Sequence, residues 1–273
     1  MTSCSSGALH QAGLAFDSIA EQYDDIFTRS LIGRAQRDAV WDVLRQNFRA
    51  GERVLELNCG TGEDALFLSR MGVFVVACDA SDRMIAVAGQ RMATATLGAP
   101  VQLQVLPTER IGELRDRGPF DGVFSNFSGL NCIDDLSDTA RQLATLVKHG
   151  GRLVLVLSSR VCMLESLWYL VHGEPARAVR RWKGYVTASL GGVTVDVRYP
   201  TVRDMQKMFR PAFTLRTRKG IGVTVPPSYL EHMARKYPRV LNKLQAVDQA
   251  IAHWPIGRSI ADHMLLVLER AEA

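Results

Sequence analysis

Val54-Leu55-Glu56-Leu57-Asn58-Cys59-Gly60-Thr61-Gly62-Glu63-Asp64-Ala65 is the stretch that decides how this chain folds. Val54, Leu55 and Leu57 make Arg53–Leu57 a short buried strand. Gly60 and Gly62 let the backbone turn tightly and approach a ligand closely. Ala65, Leu66 and Leu68 then give the inward stripe of a helix from Thr61 to Met71, stopped by Gly72. Strand, glycine turn and helix in that order predict the first unit of an open, mostly parallel sheet.

The pattern repeats outward from this unit. Val73–Cys78 is an almost wholly apolar run, as a strand covered on both faces requires. Ser81 is a good N-cap, and Asp82 complements the dipole of a helix running to about Ala95. Val101–Leu106 and Phe120–Ser125 read as strands, Leu136–Lys148 as a helix and Arg152–Ser158 as a buried strand. Upstream, residues 14–48 read as helical. Beyond Ser159 the alternation changes. Val161–His172 and Ala176–Trp182 read as helices, and Tyr185–Leu190 with Val193–Tyr199 as a hairpin around Gly191-Gly192. A short helix at Thr201–Phe209, a strand at Phe213–Lys219, helix over Ser228–Trp254 broken at Pro238, and a last strand at His263–Glu269 complete the chain. The class expected is α/β: a Rossmann-like, doubly wound, mostly parallel seven-stranded sheet with an N-terminal helical lid and a small insert after the fifth strand. The boundaries expected are a lid at 1–48, a nucleotide-binding core at 49–159, an insert with the hairpin at 160–212, and the end of the sheet with C-terminal helices at 213–273.

Composition narrows the setting. Of 273 residues 47% are hydrophobic and 22% charged, which suits a globular domain. No apolar run approaches the roughly 20 residues that span a bilayer. The N-terminus lacks the basic start and apolar core of a secretory signal. Cys4, Cys59, Cys78, Cys132 and Cys162 show no CxxC pairing, so reduced thiols of a cytoplasmic protein are expected, with no disulfide frame and no metal site. The net charge of +5 permits an anionic partner without demanding one. Much of the basic excess lies between Arg177 and Lys219. Arg177, Arg180, Arg181 and Lys183 are expected to form a solvated basic face or to receive an anionic or membrane-borne substrate.

Two kinds of nucleotide compete for the glycine turn. Gly60-x-Gly62-x-x-Ala65 satisfies a loose dinucleotide fingerprint, and Asp79, ending the second strand, suits ribose hydroxyls. A dinucleotide sets its pyrophosphate on the first helical turn. Glu63 and Asp64 occupy that turn, and their repulsion of a pyrophosphate is expected on the order of a few kcal/mol. Glu56 adds negative charge. A cationic nucleotide with an ammonium and a sulfonium fits better, and S-adenosyl-L-methionine is such a ligand.

ELNCGTGEDALFL resembles motif I of the class I S-adenosylmethionine-dependent methyltransferases. CDASDRM resembles the acidic loop after their second strand, and FDGVFSNFSGLNCI their fourth-strand motif. Phe16-Asp17-Ser18-Ile19-Ala20, followed by Tyr23-Asp24, is similar to the lid helix of the ubiquinone/menaquinone-type enzymes and their small-molecule relatives. The resemblance covers roughly residues 14–160. It implies that Glu56, Asn58, Gly60 and Gly62 hold the methionine half, Asp79 the ribose diol, and Ala80 and Met84 the adenine. It places Ser125 and Asn126 near the methyl donor, with Phe16 and Tyr23 closing over the cofactor. The family often carries an acid just after the third strand that binds the adenine amino group. Here Pro107 stands there, followed by Thr108 and Glu109, so either Glu109 or the backbone takes that role.

The acceptor is expected to be a small molecule methylated on O, N or C, possibly a lipid, quinone or natural-product intermediate. Ser125-Asn126-Phe127-Ser128 lacks the paired prolines of amine methylases acting on DNA bases, so a DNA substrate is not expected. An RNA-modifying or RNA-binding protein on the same fold is the alternative, motivated by the basic balance. Trp168, Tyr169, Trp182, Tyr185 and Tyr199 are candidate pocket walls. Tyr199, His172 and His232 are the candidate bases, needed only if the acceptor must lose a proton.

Overall fold

A computed structural model describes residues 13–190 and 192–272. The first twelve residues of the expected lid, including Cys4, and Gly191 of the expected hairpin turn lie outside the described residues. Nine strands form among the described residues: β1 (Arg53–Leu57), β2 (Phe74–Asp79), β3 (Val101–Val105), β4 (Phe120–Ser125), β5 (Val147–Ser158), β6 (Tyr185–Leu190), β7 (Val193–Arg198), β8 (Phe213–Ile221) and β9 (His263–Arg270). Seven of them make one sheet in the order β3-β2-β1-β4-β5-β9-β8, and β6 and β7 form a separate hairpin. Neighbours from β3 to β5 are parallel, while β9 runs antiparallel between β5 and β8.

Helices cover both faces. They are α1 (Leu31–Asn47), α2 (Glu63–Arg70), α3 (Asp82–Thr94), α4 (Leu136–Leu146), α5 (Met163–Val171), α6 (Val202–Phe209), α7 (Glu231–Lys236) and α8 (Pro238–Ile251). Leu153 to Leu157 of β5 are all fully buried, because successive side chains point into opposite, equally apolar layers. One layer joins Leu55, Leu143, Leu155 and Phe209; the other joins Val40, Leu44, Leu68 and Val154. Ser30, Ser81 and Asp135 cap α1, α3 and α4 by accepting from backbone N–H groups of the first turn.

Two expected elements change form. The helix expected at Ala176–Trp182 is a short helix at Pro175–Ala178 followed by a 3-10 turn at Arg180–Lys183. Arg180 and Arg181 both reach the same carboxylate, Glu165. A continuous α-helix would point such neighbours roughly 100° apart. The expected lid helices break at residues 18–30, where Ala20–Tyr23 runs into a π-helical turn at Asp24–Thr28.

Chain order dictates where a ligand can enter. After β1 the chain moves outward to β2 and β3, then returns to the other side of β1 at β4. The crossovers diverge at the carboxyl ends of β1 and β4, which is where open α/β sheets bind ligands.

Candidate functional site

The turn after β1 is fixed by conformations few residues adopt. Asn58 has a φ of 54°, Gly60 of 53° and Gly62 of 77°. A Cβ on Gly62 would lie 2.9 Å from that of Ala88, so α2 and α3 pack this closely only with glycine there. Asn58 is the non-glycine of the three. Its Oδ1 accepts from Thr108 Oγ1 and Ser125 Oγ, both at 3.3 Å. The facing loop makes room with Gly129, where a Cβ would meet Asn58 Cβ at 2.3 Å.

A cleft of about 670 Å³ opens above this turn. It gathers Phe16, Tyr23, Asn58, Gly60, Asp79, Ala80, Met84, Thr108, Glu109 and Asn126 from five separate segments. Asp79 is held at the end of β2 by two backbone donors, Gly60 N–H at 2.8 Å and Ser81 N–H at 2.9 Å. Burial raises its pKa, an effect those donors only partly offset. Each oxygen keeps a lone pair for a hydroxyl donor from the cleft. Burial also raises the Glu109 carboxyl and pushes the Tyr23 hydroxyl up to about 12.

Three expected contacts lie behind the wall. Gly62 caps α2, Ser125 is turned to Asn58, and Glu56 is buried beneath the turn. Glu56 Oε2 has no hydrogen-bond partner among the described residues. Desolvation, then the nearby Asp64, holds its pKa well above the carboxylate range, only partly offset by Arg37. A buried acid in this state favours a positive charge arriving nearby.

The charge argument drawn from the helix start needs correction. Glu63 is paired with Arg91 and with Arg34, and Asp64 accepts from Trp41 Nε1 at 2.7 Å and Asn126 Nδ2 at 3.0 Å, with Arg37 at 3.6 Å. Their charges are largely neutralised, so they do not by themselves repel phosphates. The acid that faces the cleft is Asp79 on its wall, while Glu56 below is held toward its neutral form until a positive charge arrives.

The lid is latched by two acids. Asp17 accepts from Ser81 Oγ and Arg83 N–H, while Asp24 accepts from Thr61 Oγ1 at 2.7 Å and pairs with Arg91. Arg91 thus joins the lid, the glycine turn and α2, a role its place in an ordinary amphipathic helix does not advertise. Gly13, Phe127, Gly129, Cys132 and Ile133 also line the cleft. The last four fall within the fourth-strand motif, whose signal extends past Asn126 to Ile133.

The candidate bases are not in the cleft. Tyr199 is buried with Arg181 over its ring, His172 stacks on Trp168 with ring centroids 4.0 Å apart, and His232 is exposed on α7. The basic cluster divides: Arg180 and Arg181 clasp Glu165, and Arg177 pairs with Glu174, so most of it is not an open basic face. Burial pushes the Cys78 thiol up to about 12 and Cys132 to about 11. Neither is an activated nucleophile.

Known proteins resemble this chain in sequence and in fold. Residues 54–151 match the methyltransferase-domain family. The match covers the core of the Rossmann-like sheet, from β1 into β5. A demethylmenaquinone methyltransferase of Corynebacterium glutamicum is 31% identical over 143 residues, which cover 51% of this chain and 56% of that protein. The match therefore spans little more than half of the relative. Among solved structures, an S-adenosylmethionine-dependent methyltransferase from Clostridium acetobutylicum aligns over 93% of this chain and 98% of its own with a TM-score of 0.59 and 13% identity. The [4+2]-cyclase SpnF aligns over 97% of this chain and 96% of its own, with a TM-score of 0.63 at 14% identity. These two likenesses establish the fold, and a fold alone does not choose a reaction.

Proposed function

We propose that this chain binds S-adenosyl-L-methionine in the cleft above Gly60 and transfers its methyl group to an O, N or C atom of a small molecule. Lipid, quinone and natural-product intermediates are the acceptor classes in view. The observation that carries this reading is the pairing of two acids around one glycine turn. Asp79 presents a fixed carboxylate on the cleft wall, and Glu56 lies unpartnered beneath the turn. An adenosine bearing a cationic methionine uses both; a dinucleotide uses only the first.

The bound cofactor supplies a methyl group already activated by positive sulfur. This chain's residues then hold and orient. Asp79 takes the ribose diol, Ala80 and Met84 flank the adenine, and Glu109 or the backbone beside it receives the amino group. Asn58 and the Gly60 backbone border the methionine half, and Asn126 lines the donor end. Phe16 and Tyr23 exclude water. The titratable side chains on the wall are Asp79, Glu109, Tyr23 and Cys132. The last two carry raised pKa values that keep them protonated near neutral pH. Alignment of donor and acceptor therefore supplies the acceleration, with an acceptor acidic or nucleophilic enough to react without a strong base.

Calorimetric titration with S-adenosylhomocysteine tests the cofactor assignment. Saturable one-to-one binding is expected, and absence of heat with folded protein would end the proposal. Label transfer from methyl-tritiated S-adenosylmethionine to candidate acceptors then separates methyl transfer from other uses of the fold.

A further inference from the structure

Helix α5 is built inside out. Its one charged residue, Glu165, is 2% exposed and clasped by Arg180 and Arg181. Its apolar residues face outward instead: Leu167 is 50% exposed, Leu170 53% and Val171 83%. A surface helix ordinarily shows the reverse arrangement. Exposed apolar surface on this scale marks an interaction site.

This helix forms one wall of a groove of about 1170 Å³. The opposite wall is α7 and α8, through Met233, Tyr237 and Val240, all exposed. The groove lining is almost wholly apolar, and two of its few polar side chains are already engaged. Thr224 Oγ1 donates to the Leu244 carbonyl at 2.7 Å, and His172 Nδ1 meets the Trp168 carbonyl at 2.8 Å. The surroundings are cationic. Residues 160–256 hold 16 Lys and Arg against 6 Asp and Glu, although the whole chain is only +5. Lys236, Arg239 and Lys243 are exposed on the same wall and have no ion-pair partner among the described residues. Lys236 lies 5.4 Å from the centre of the Tyr237 ring. Apolar side chains ringed by amphipathic aromatics and cations are the chemistry that a headgroup layer over hydrocarbon accepts.

We propose that the groove and its cationic rim are a docking surface for an anionic lipid membrane. The contact is peripheral, since no helix among the described residues is long and apolar enough to cross a bilayer. The surface is also close to the cleft in sequence. Ile32 packs with Leu230 and Ala234 at the groove floor, and Phe27, five residues earlier, packs edge-on against Phe127 at 4.8 Å on the cleft wall. Glu231 on α7 ties the two by accepting from the Leu31 and Ile32 N–H groups at 2.9 and 3.1 Å.

Flotation with vesicles tests this without any cofactor, so its outcome is separate from that of the methyltransferase reading. Phosphatidylcholine vesicles containing phosphatidylglycerol are expected to carry the protein upward at least about 10-fold better than pure phosphatidylcholine, with release at high salt. The exposed-site double variant Leu167→Asp/Val171→Asp, checked for folding by circular dichroism, is expected to lose binding by about 10-fold or more. Arg239→Glu/Lys243→Glu is expected to lose only the gain due to the anionic lipid. No flotation of the wild type, or flotation unchanged in both variants, would overturn the proposal. So would a wild-type dimer in sedimentation that Leu167→Asp/Val171→Asp dissociates, since that assigns the groove to a second copy.

Discussion

The two halves of this molecule handle charge in opposite ways. In the nucleotide half, from β1 to β5, backbone N–H groups and arginines set each acid in place. Two acids, Asp79 and Glu56, are left with capacity for a visitor. In the half from α5 to α8, the acid is consumed: Glu165 is locked beneath the surface by two guanidinium groups, and apolar side chains are turned outward. The first half stores unsatisfied polarity at a cleft, the second unsatisfied apolar surface at a groove. Each imbalance is where an external partner is proposed to bind.

The comparison is most severely tested at Glu165. Glu165→Ala leaves Arg181, which is also held by Asp262 at 3.0 Å, with one buried partner fewer. A loss of about 3–5 kcal/mol of stability is expected, the usual cost of breaking a buried pair. Thermal unfolding measures it. Affinity for S-adenosylhomocysteine, measured below the new midpoint, should change less than about threefold if the halves are independent.

Asp79→Asn is the matching test in the first half. It removes the charge that two backbone donors share and to which the ribose hydroxyls are proposed to bond. Affinity for S-adenosylhomocysteine should fall by about 10- to 100-fold, the worth of charge-assisted hydrogen bonds. Unfolding should change little by comparison, in contrast to Glu165→Ala.

Glu56→Gln separates stability from binding. The folded-state pKa of Glu56 is raised, so the folded protein binds that proton more tightly than the unfolded chain. Its favourable contribution is present at acid pH and is lost as pH climbs through the raised value. The glutamine variant should therefore gain on wild type as pH rises, reaching about 1 kcal/mol near neutrality, while binding the cationic cofactor several-fold more weakly. Denaturation midpoints across a pH series check the first, and titration with S-adenosylmethionine the second. A variant less stable than wild type at neutral pH would contradict the assignment.

The smallest effect is expected at the lid latch. Asp17→Asn weakens its bonds to Ser81 Oγ and the Arg83 N–H. A loss of about 0.5–1.5 kcal/mol of local stability is expected, read as faster hydrogen exchange over residues 13–28 with global unfolding unchanged.

How much of this was legible in the sequence follows the same division. The sheet could be read because β2 and the Leu153–Leu157 part of β5 are nearly unbroken apolar runs, and β1 runs straight into a glycine turn. Ten of the expected cofactor contacts share one cleft because motifs at strand ends are brought together by topology. Glu63 and Asp64 misled because sequence shows a charge but not its partner, and Arg34, Arg37 and Arg91 come from other helices. The second half was less legible for a related reason. Arg180 and Arg181 look like a basic surface until the fold turns Glu165 inward to meet them. His172 and Tyr199 looked like candidate bases until the first was stacked on Trp168 and the second covered by Arg181.

One measurement bears on the central claim most directly: the crystal structure of the protein with S-adenosylhomocysteine. The account predicts the ribose hydroxyls on the Asp79 carboxylate, the adenine between Ala80 and Met84, and the amino-acid end over Asn58 and Gly60 above Glu56. A nucleoside seated away from Asp79, or with its amino-acid end directed away from the glycine turn, would contradict it.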